Sequence, residues 1–161
     1  MAYGQFPETL LVKSIDTSET VELGQFQPTA NGEIAHIRAH MFKHGTIGGS
    51  ESVTISIHTS SDLTTAYATS DAVTFATIQN SSNLNTTGDW IGWFRFDFNR
   101  ENLNKNQTYY VSCTLTNYTR NSDTYYAGLV YDFPYPTYDP ASSITNYTLA
   151  PLGMKWFAYQ E

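Results

Sequence analysis

Trp90-Ile-Gly-Trp-Phe-Arg-Phe-Asp-Phe98, then a polar link, then Tyr109-Tyr-Val-Ser-Cys-Thr-Leu-Thr116, is the stretch that decides the fold. In the first run Phe94, Phe96 and Phe98 share one face, and Trp93, Arg95 and Asp97 share the other. Side chains alternate faces in an extended chain, so this is a strand with one buried side. In the second run Tyr109, Val111, Cys113 and Leu115 fall together, opposite Tyr110, Ser112, Thr114 and Thr116. Asn99 to Gln107 supplies turn formers and charges, and Leu103 within it is expected to tuck back under a sheet. Two aromatic and β-branched runs with a polar connection suggest an antiparallel pair. The link is longer than a two-residue hairpin, so the strands fit equally in two different sheets.

Outward from this pair the same signal recurs. Thr9 to Ser14 is short and apolar, and Val21, Leu23 and Phe26 mark a second short strand. Pro28 to Gly32 is a turn. Glu33 to Lys43 is ambiguous. As a helix it would carry an Ile34, Ile37, Met41 stripe. As a strand it would place Ala35, Ile37, Ala39 and Met41 inward and His36, Arg38, His40 and Phe42 outward; its surroundings favour strand. After the turn at Gly45 to Ser50 comes Glu51 to Thr59, with Val53, Ile55 and Ile57 inward and Thr54, Ser56 and His58 outward. Val73 to Ile78 reads as a further strand with Val73 and Phe75 on one face. Thr124 to Tyr131 and Met154 to Gln160 close the set. Asp132 to Pro140 holds three prolines, which excludes a central strand and predicts an extended loop bearing aromatics.

Eight or nine strands, with no helix in this reading, predict an all-β fold: a two-sheet antiparallel β-sandwich of jelly-roll type. The 161 residues suit one domain, 1–161, with 1–13 as a possible N-terminal arm. Aromatics at 15% outnumber what a helical bundle carries, and charged residues at 14% are too sparse for one. The net charge of −7 argues against a nucleic-acid partner. No apolar run is long enough for a membrane-spanning helix, and no secretory signal is read at the N-terminus. The single cysteine, Cys113, has inward parity and reads as a small buried side chain rather than a nucleophile.

Few constellations point to chemistry. His36 and His40 are four apart, which suits a metal only on a helix; on a strand they stand about 13 Å apart. Asp89, Asp97, Asp132 and Asp139 lie near strand ends or loops without a catalytic or calcium-loop pattern. No phosphate loop, dinucleotide fingerprint or nucleophile elbow occurs. The expectation is a non-enzyme with no cofactor and no metal. The better candidates are exposed aromatics. Trp93 stands on the outward parity beside Arg95, and Tyr131, Tyr135 and Tyr138 crowd the proline loop. Such side chains suit a protein interface or a sugar face, though several would simply cover the ends of the sheets.

The order of these segments resembles a known group. A Gly-Gly turn precedes Val53-Thr-Ile-Ser-Ile, then comes Trp90 to Phe98, then Leu103 and Asn106-Gln-Thr-Tyr-Tyr-Val. Across Val21 to Thr116 this is similar to jelly-roll domains of phage virion and bacterial surface proteins, some of them like carbohydrate-binding modules. In that group a glycine usually stands where Asn106-Gln107 stands here. The resemblance implies a virion location and a capsid decoration or tail-associated role. The implied partners are major capsid or tail proteins, with a homo-oligomer, a trimer by preference. It implies, as the alternative, a carbohydrate-binding module for cell-surface glycans. It carries over no catalytic residue.

Overall fold

The structure is a computed structural model that describes residues 12–15, 20–46, 49–83, 88–119, 126–130, 147–149 and 156–160. In chain order the elements are β1 (Val12–Ile15), β2 (Thr20–Phe26), β3 (Gly32–His44), β4 (Ser52–His58), β5 (Ala68–Thr69) and β6 (Val73–Thr74). A single-turn helix, α1 (Phe75–Gln79), follows, then β7 (Ser82–Asn83), β8 (Asp89–Asp97), β9 (Asn102–Leu103) and β10 (Tyr109–Thr116). The last are β11 (Tyr126–Val130), β12 (Tyr147–Leu149) and β13 (Trp156–Gln160). Val12 and Lys13 thus belong to a paired strand, while residues 1–11 lie outside the described part.

Two antiparallel sheets face each other. One has the order β1-β11-β3-β8-β7, with β13 and β9 also on β3; the other has the order β12-β2-β10-β4-β5, with β6 also on β4. The two diagnostic strands therefore do not pair. β8 lies beside β3 in one sheet and β10 lies between β2 and β4 in the other. Their inner faces build the core: Phe94, Phe96 and Phe98 from one side, Tyr109, Val111, Cys113 and Leu115 from the other, all buried. The link between them is fastened to the turn that precedes β3. Lys105 N donates to Asn31 Oδ1 at 2.8 Å, Asn106 N donates to Pro28 O at 2.9 Å, and Leu103 is buried as expected.

The ambiguity at Glu33 to Lys43 resolves as strand, with one change. Opposite β13 the register skips Ala35, because Tyr159 partners His36 and Gln160 partners Ile34. An extra residue at a bulge flips the parity on one side of it. Ile34 and Ile37 are therefore both fully buried, and Ala35, expected inward, is only half-buried. The helix-like spacing of Ile34 and Ile37 records that bulge. A second bulge on β2, at Leu23 between the partners of Val111 and Ser112, does the same for Leu23 and Phe26.

The expected strand over Val73 to Ile78 is corrected. Only Val73 and Thr74 are extended; Phe75 to Gln79 turns into α1. Phe75 and Ile78, three apart on one helical face, are both fully buried, which is a spacing that an extended chain cannot bury from one side. The whole strip from Ala68 to Asn83 runs along one open side of the sandwich. It pairs with β4 through β5 and β6, then with β8 through β7.

His40, Phe42 and His58 stand on the outer faces as expected, yet all three are buried. His58 is covered because the chain after β4 folds back. Tyr67 N donates to Ile57 O at 2.7 Å, and the His58 ring lies between Thr65 O and Ser112 Oγ.

Candidate functional site

Strand pairing decides which outward side chains become neighbours. The β3–β8 register sets His36 opposite Asp97, Arg38 opposite Arg95, His40 opposite Trp93, Phe42 opposite Ile91 and His44 opposite Asp89. Alternation puts all of these on the outer face of the first sheet. The row is polar at both ends and apolar in its middle, where His40, Phe42 and Ile91 are buried. Cross-strand neighbours of this kind have Cβ atoms about 4.5–5.5 Å apart, so each pair acts as one local surface unit.

Trp93 is half-buried. Its ring stacks on the His40 imidazole, with centroids 4.7 Å apart and planes within 11° of parallel. This holds the indole flat against the sheet. Arg95 is exposed, and its Nε donates to Asp97 Oδ1 at 2.6 Å. Residues i and i+2 of a strand stand on one face, so this pairing follows directly from the alternation. Both side chains are half or more exposed (60% and 50%), so the pairing orients Arg95 more than it stabilises the fold. Arg38 is exposed across from Arg95. At the far end of the row His44 Nδ1 and Asp89 Oδ1 form a close hydrogen-bond contact.

A groove of about 710 Å³ opens beside this row. Trp93 and Arg95 form one wall, and Thr74, Thr77, Asn80 and Ser81 supply the polar part of the other. Its position follows from the strip that closes the sandwich. That strip meets β8 at Ile91 and Trp90 through β7, and again where Asp71 N donates to Asp97 O at 2.8 Å. Between the two contacts α1 and its flanks lie beside β8, and the groove opens between them. Thr74 and Thr77 hydroxyls lie 3.3 Å apart across the start of α1, and Ser81 Oγ donates to Ile78 O. The groove is open, and its lining joins apolar groups of Ala72, Val73, Phe94 and the Trp93 indole to hydroxyl, amide and guanidinium groups.

The structure thus brings together two of the residues singled out from sequence, Trp93 and Arg95. Tyr131, Tyr135 and Tyr138 lie outside the described residues. Sequence reasoning missed Arg38 as a partner of Arg95, since alternation within a strand does not say which strand lies beside it. It also missed the groove wall, because Val73 to Ile78 was read as a strand. The Phe75/Ile78 spacing was the available signal.

Asp89 and Asp97 stand at opposite ends of β8, eight positions and about 26 Å apart, far beyond the separation of a glycosidase carboxylate pair. Among the described residues no three His, Cys, Asp or Glu side chains gather as metal ligands would. The Cys113 thiol is fully buried, and burial pushes its pKa up to about 12. Scans against protein-family models, curated proteins and solved structures each found no match to this chain.

Proposed function

We propose that this chain is a non-enzymatic structural protein of a phage particle. In this reading it is a jelly-roll sandwich that decorates the capsid or attaches to the tail, docking on major capsid or tail proteins as a homo-oligomer, by preference a trimer. The observation that carries the reading is the exposed Arg38/Arg95 pair beside the stacked Trp93 on the paired β3–β8 strands. Trp and Arg are the side chains that dominate the energy of protein interfaces. Trp93 is held by its stack on His40 and Arg95 by its bond to Asp97, which lowers the ordering cost that falls on binding. The resemblance across Val21 to Thr116 supplies the particle context. The test is light scattering on the purified chain, with co-sedimentation on particles of the virus that encodes it. A trimer that sediments with particles, and an Arg95→Glu variant that does not, is expected. A monomer that stays in the supernatant overturns the reading.

The groove favours a second reading, a carbohydrate-binding module. Hydroxyl and amide groups facing an indole offer a sugar both hydrogen bonds and an apolar face. Binding to an oligosaccharide array, lost on changing Thr77 or Asn80 to a bulky side chain, supports it. An array without hits removes it.

A further inference from the structure

Arg38 and Arg95 face each other across the β3–β8 ladder, and such like-charge pairs cost stability when directly opposite. A generally basic surface does not explain them. The chain carries only 8 Lys and Arg against 15 Asp and Glu. Arg95 uses its Nε on Asp97, which leaves its two terminal amino groups for another acceptor. Arg38 is exposed and has no ion pair among the described residues. Counting Asp97, the cluster carries one net positive charge, which a monoanion neutralises. A guanidinium presents parallel N–H groups that match the two oxygens of a carboxylate. Arg95 is also part of one wall of the groove, whose other wall sets Thr74, Thr77, Asn80 and Ser81 beside Ala72 and Val73. A ligand whose charge rests on the arginines would therefore lay its remaining atoms against hydroxyls and an amide.

We propose that Arg38 and Arg95 hold the carboxylate of an acidic sugar whose ring and neighbouring residues occupy the groove beside Trp93. This deepens the carbohydrate-binding reading and rests on it. An acidic peptide would satisfy the arginines equally, but the groove sets the Trp93 and Phe94 rings beside hydroxyls and an amide, the pairing of apolar face and hydrogen-bonding edge that a sugar ring presents.

The test is an array carrying sialyllactose beside lactose, and trigalacturonate beside its methyl ester, probed with the full chain. The acidic members are expected to bind and their neutral counterparts to bind about tenfold or more weakly, the difference narrowing as salt is raised. Arg38→Gln and Arg95→Gln should each remove that preference. Arg38→Gln should melt no lower than the parent chain, since it relieves the like-charge contact without breaking the Arg95–Asp97 pair. Equal binding of acid and neutral counterpart overturns the proposal and leaves the carbohydrate-binding reading standing. Binding to no member overturns both. The acid-against-ester comparison uses the unaltered protein, so it decides even where a variant folds poorly.

Discussion

Lys43 Nζ donates to Gln79 Oε1 at 2.8 Å, which ties the inner face of β3 to the last residue of α1. The ammonium also lies 3.4 Å from Phe75 O and 5.3 Å from the centre of the Trp90 ring, in a fully buried position. An inward lysine at the end of a core row is costly unless something meets its charge. Here the Phe75 carbonyl at the start of α1, the Gln79 side-chain amide at its end, an indole face and the Glu51 carboxylate do so.

A pH dependence follows. Burial holds the Lys43 pKa below its ordinary value of 10.5, partly offset by Glu51. The unfolded chain therefore binds this proton more tightly than the folded one. Stability gains from this group as pH rises from the folded pKa towards 10.5 and is lowered by it below that window. Lys43→Met removes the titration. The stability of Lys43→Met minus that of the parent should fall as pH is raised from 7 to 10, measured by urea unfolding. A difference that stays flat would show that the lysine ionises as freely in the fold as in water.

Gly92 faces inward opposite Met41, close to where the chain leaves α1. A Cβ built on it would stand 2.9 Å from Ser81 Cβ and 3.2 Å from the Phe94 ring. Ser81 Cβ is fixed to the backbone, so the strip carrying α1 must move. Gly92→Ala is expected to destabilise by about 1–3 kcal/mol, the usual cost of forcing volume into a packed interior. Because the strip forms the outer wall of the groove, the same variant should weaken any ligand held there. Calorimetric melting checks the first effect. An unchanged melting temperature would mean that α1 floats over the strand.

How far the sequence could be read depends on the kind of contact. Faces within a strand were legible: Phe94, Phe96, Phe98, Val111 and Leu115 stand where alternation puts them, because parity is a local property. Partners across strands were not. The Trp90–Phe98 and Tyr109–Thr116 runs fit one hairpin or two sheets equally well, and the long link chose two sheets by docking on Pro28 and Asn31. The bulges at Leu23 and Ala35 shifted parity in ways that only a neighbouring strand reveals. The site divides in the same manner. Trp93 and Arg95 came from parity, whereas Arg38 and the Thr74–Ser81 wall came from pairing and from a helix too short to leave a full periodic signature.

Ser112 illustrates a polar group made necessary by its surroundings. It lies fully buried on β10, on the face away from Cys113. The His58 ring bonds Thr65 O at 2.9 Å and Ser112 Oγ at 2.8 Å. A carbonyl accepts only, so Nδ1 carries the proton towards Thr65 and Nε2 accepts from the serine hydroxyl. Ser112→Ala leaves Nε2 without its donor in a buried position. The expected loss is about 1–3 kcal/mol, with the chain between β4 and β5 loosened first. Hydrogen exchange at Tyr67 N, which bonds Ile57 O at 2.7 Å, should speed up before exchange in β10 does. Uniform acceleration across both would mean that His58 does not specifically anchor this segment.

Cys113 offers a reporter for the opening of the whole sandwich. Its side chain sits between Ile55 and Val21 of the flanking strands, fully buried, with a thiol pushed up to about 12 by that burial. The thiolate is the reactive species, and at neutral pH almost none forms at such a value. Access also requires β10 to part from the facing sheet, since Phe94 and Phe96 close the other side of the core. Native protein should therefore resist iodoacetamide, and labelling should appear only through openings that expose β10. Labelling and urea unfolding should then report the same free energy when reclosing is fast. Destabilising Gly92→Ala should accelerate labelling by about tenfold for each ~1.4 kcal/mol of stability it loses. Rapid labelling of the native chain, without loss of its β-sheet signal, would place Cys113 at a local opening and remove it from the shared core.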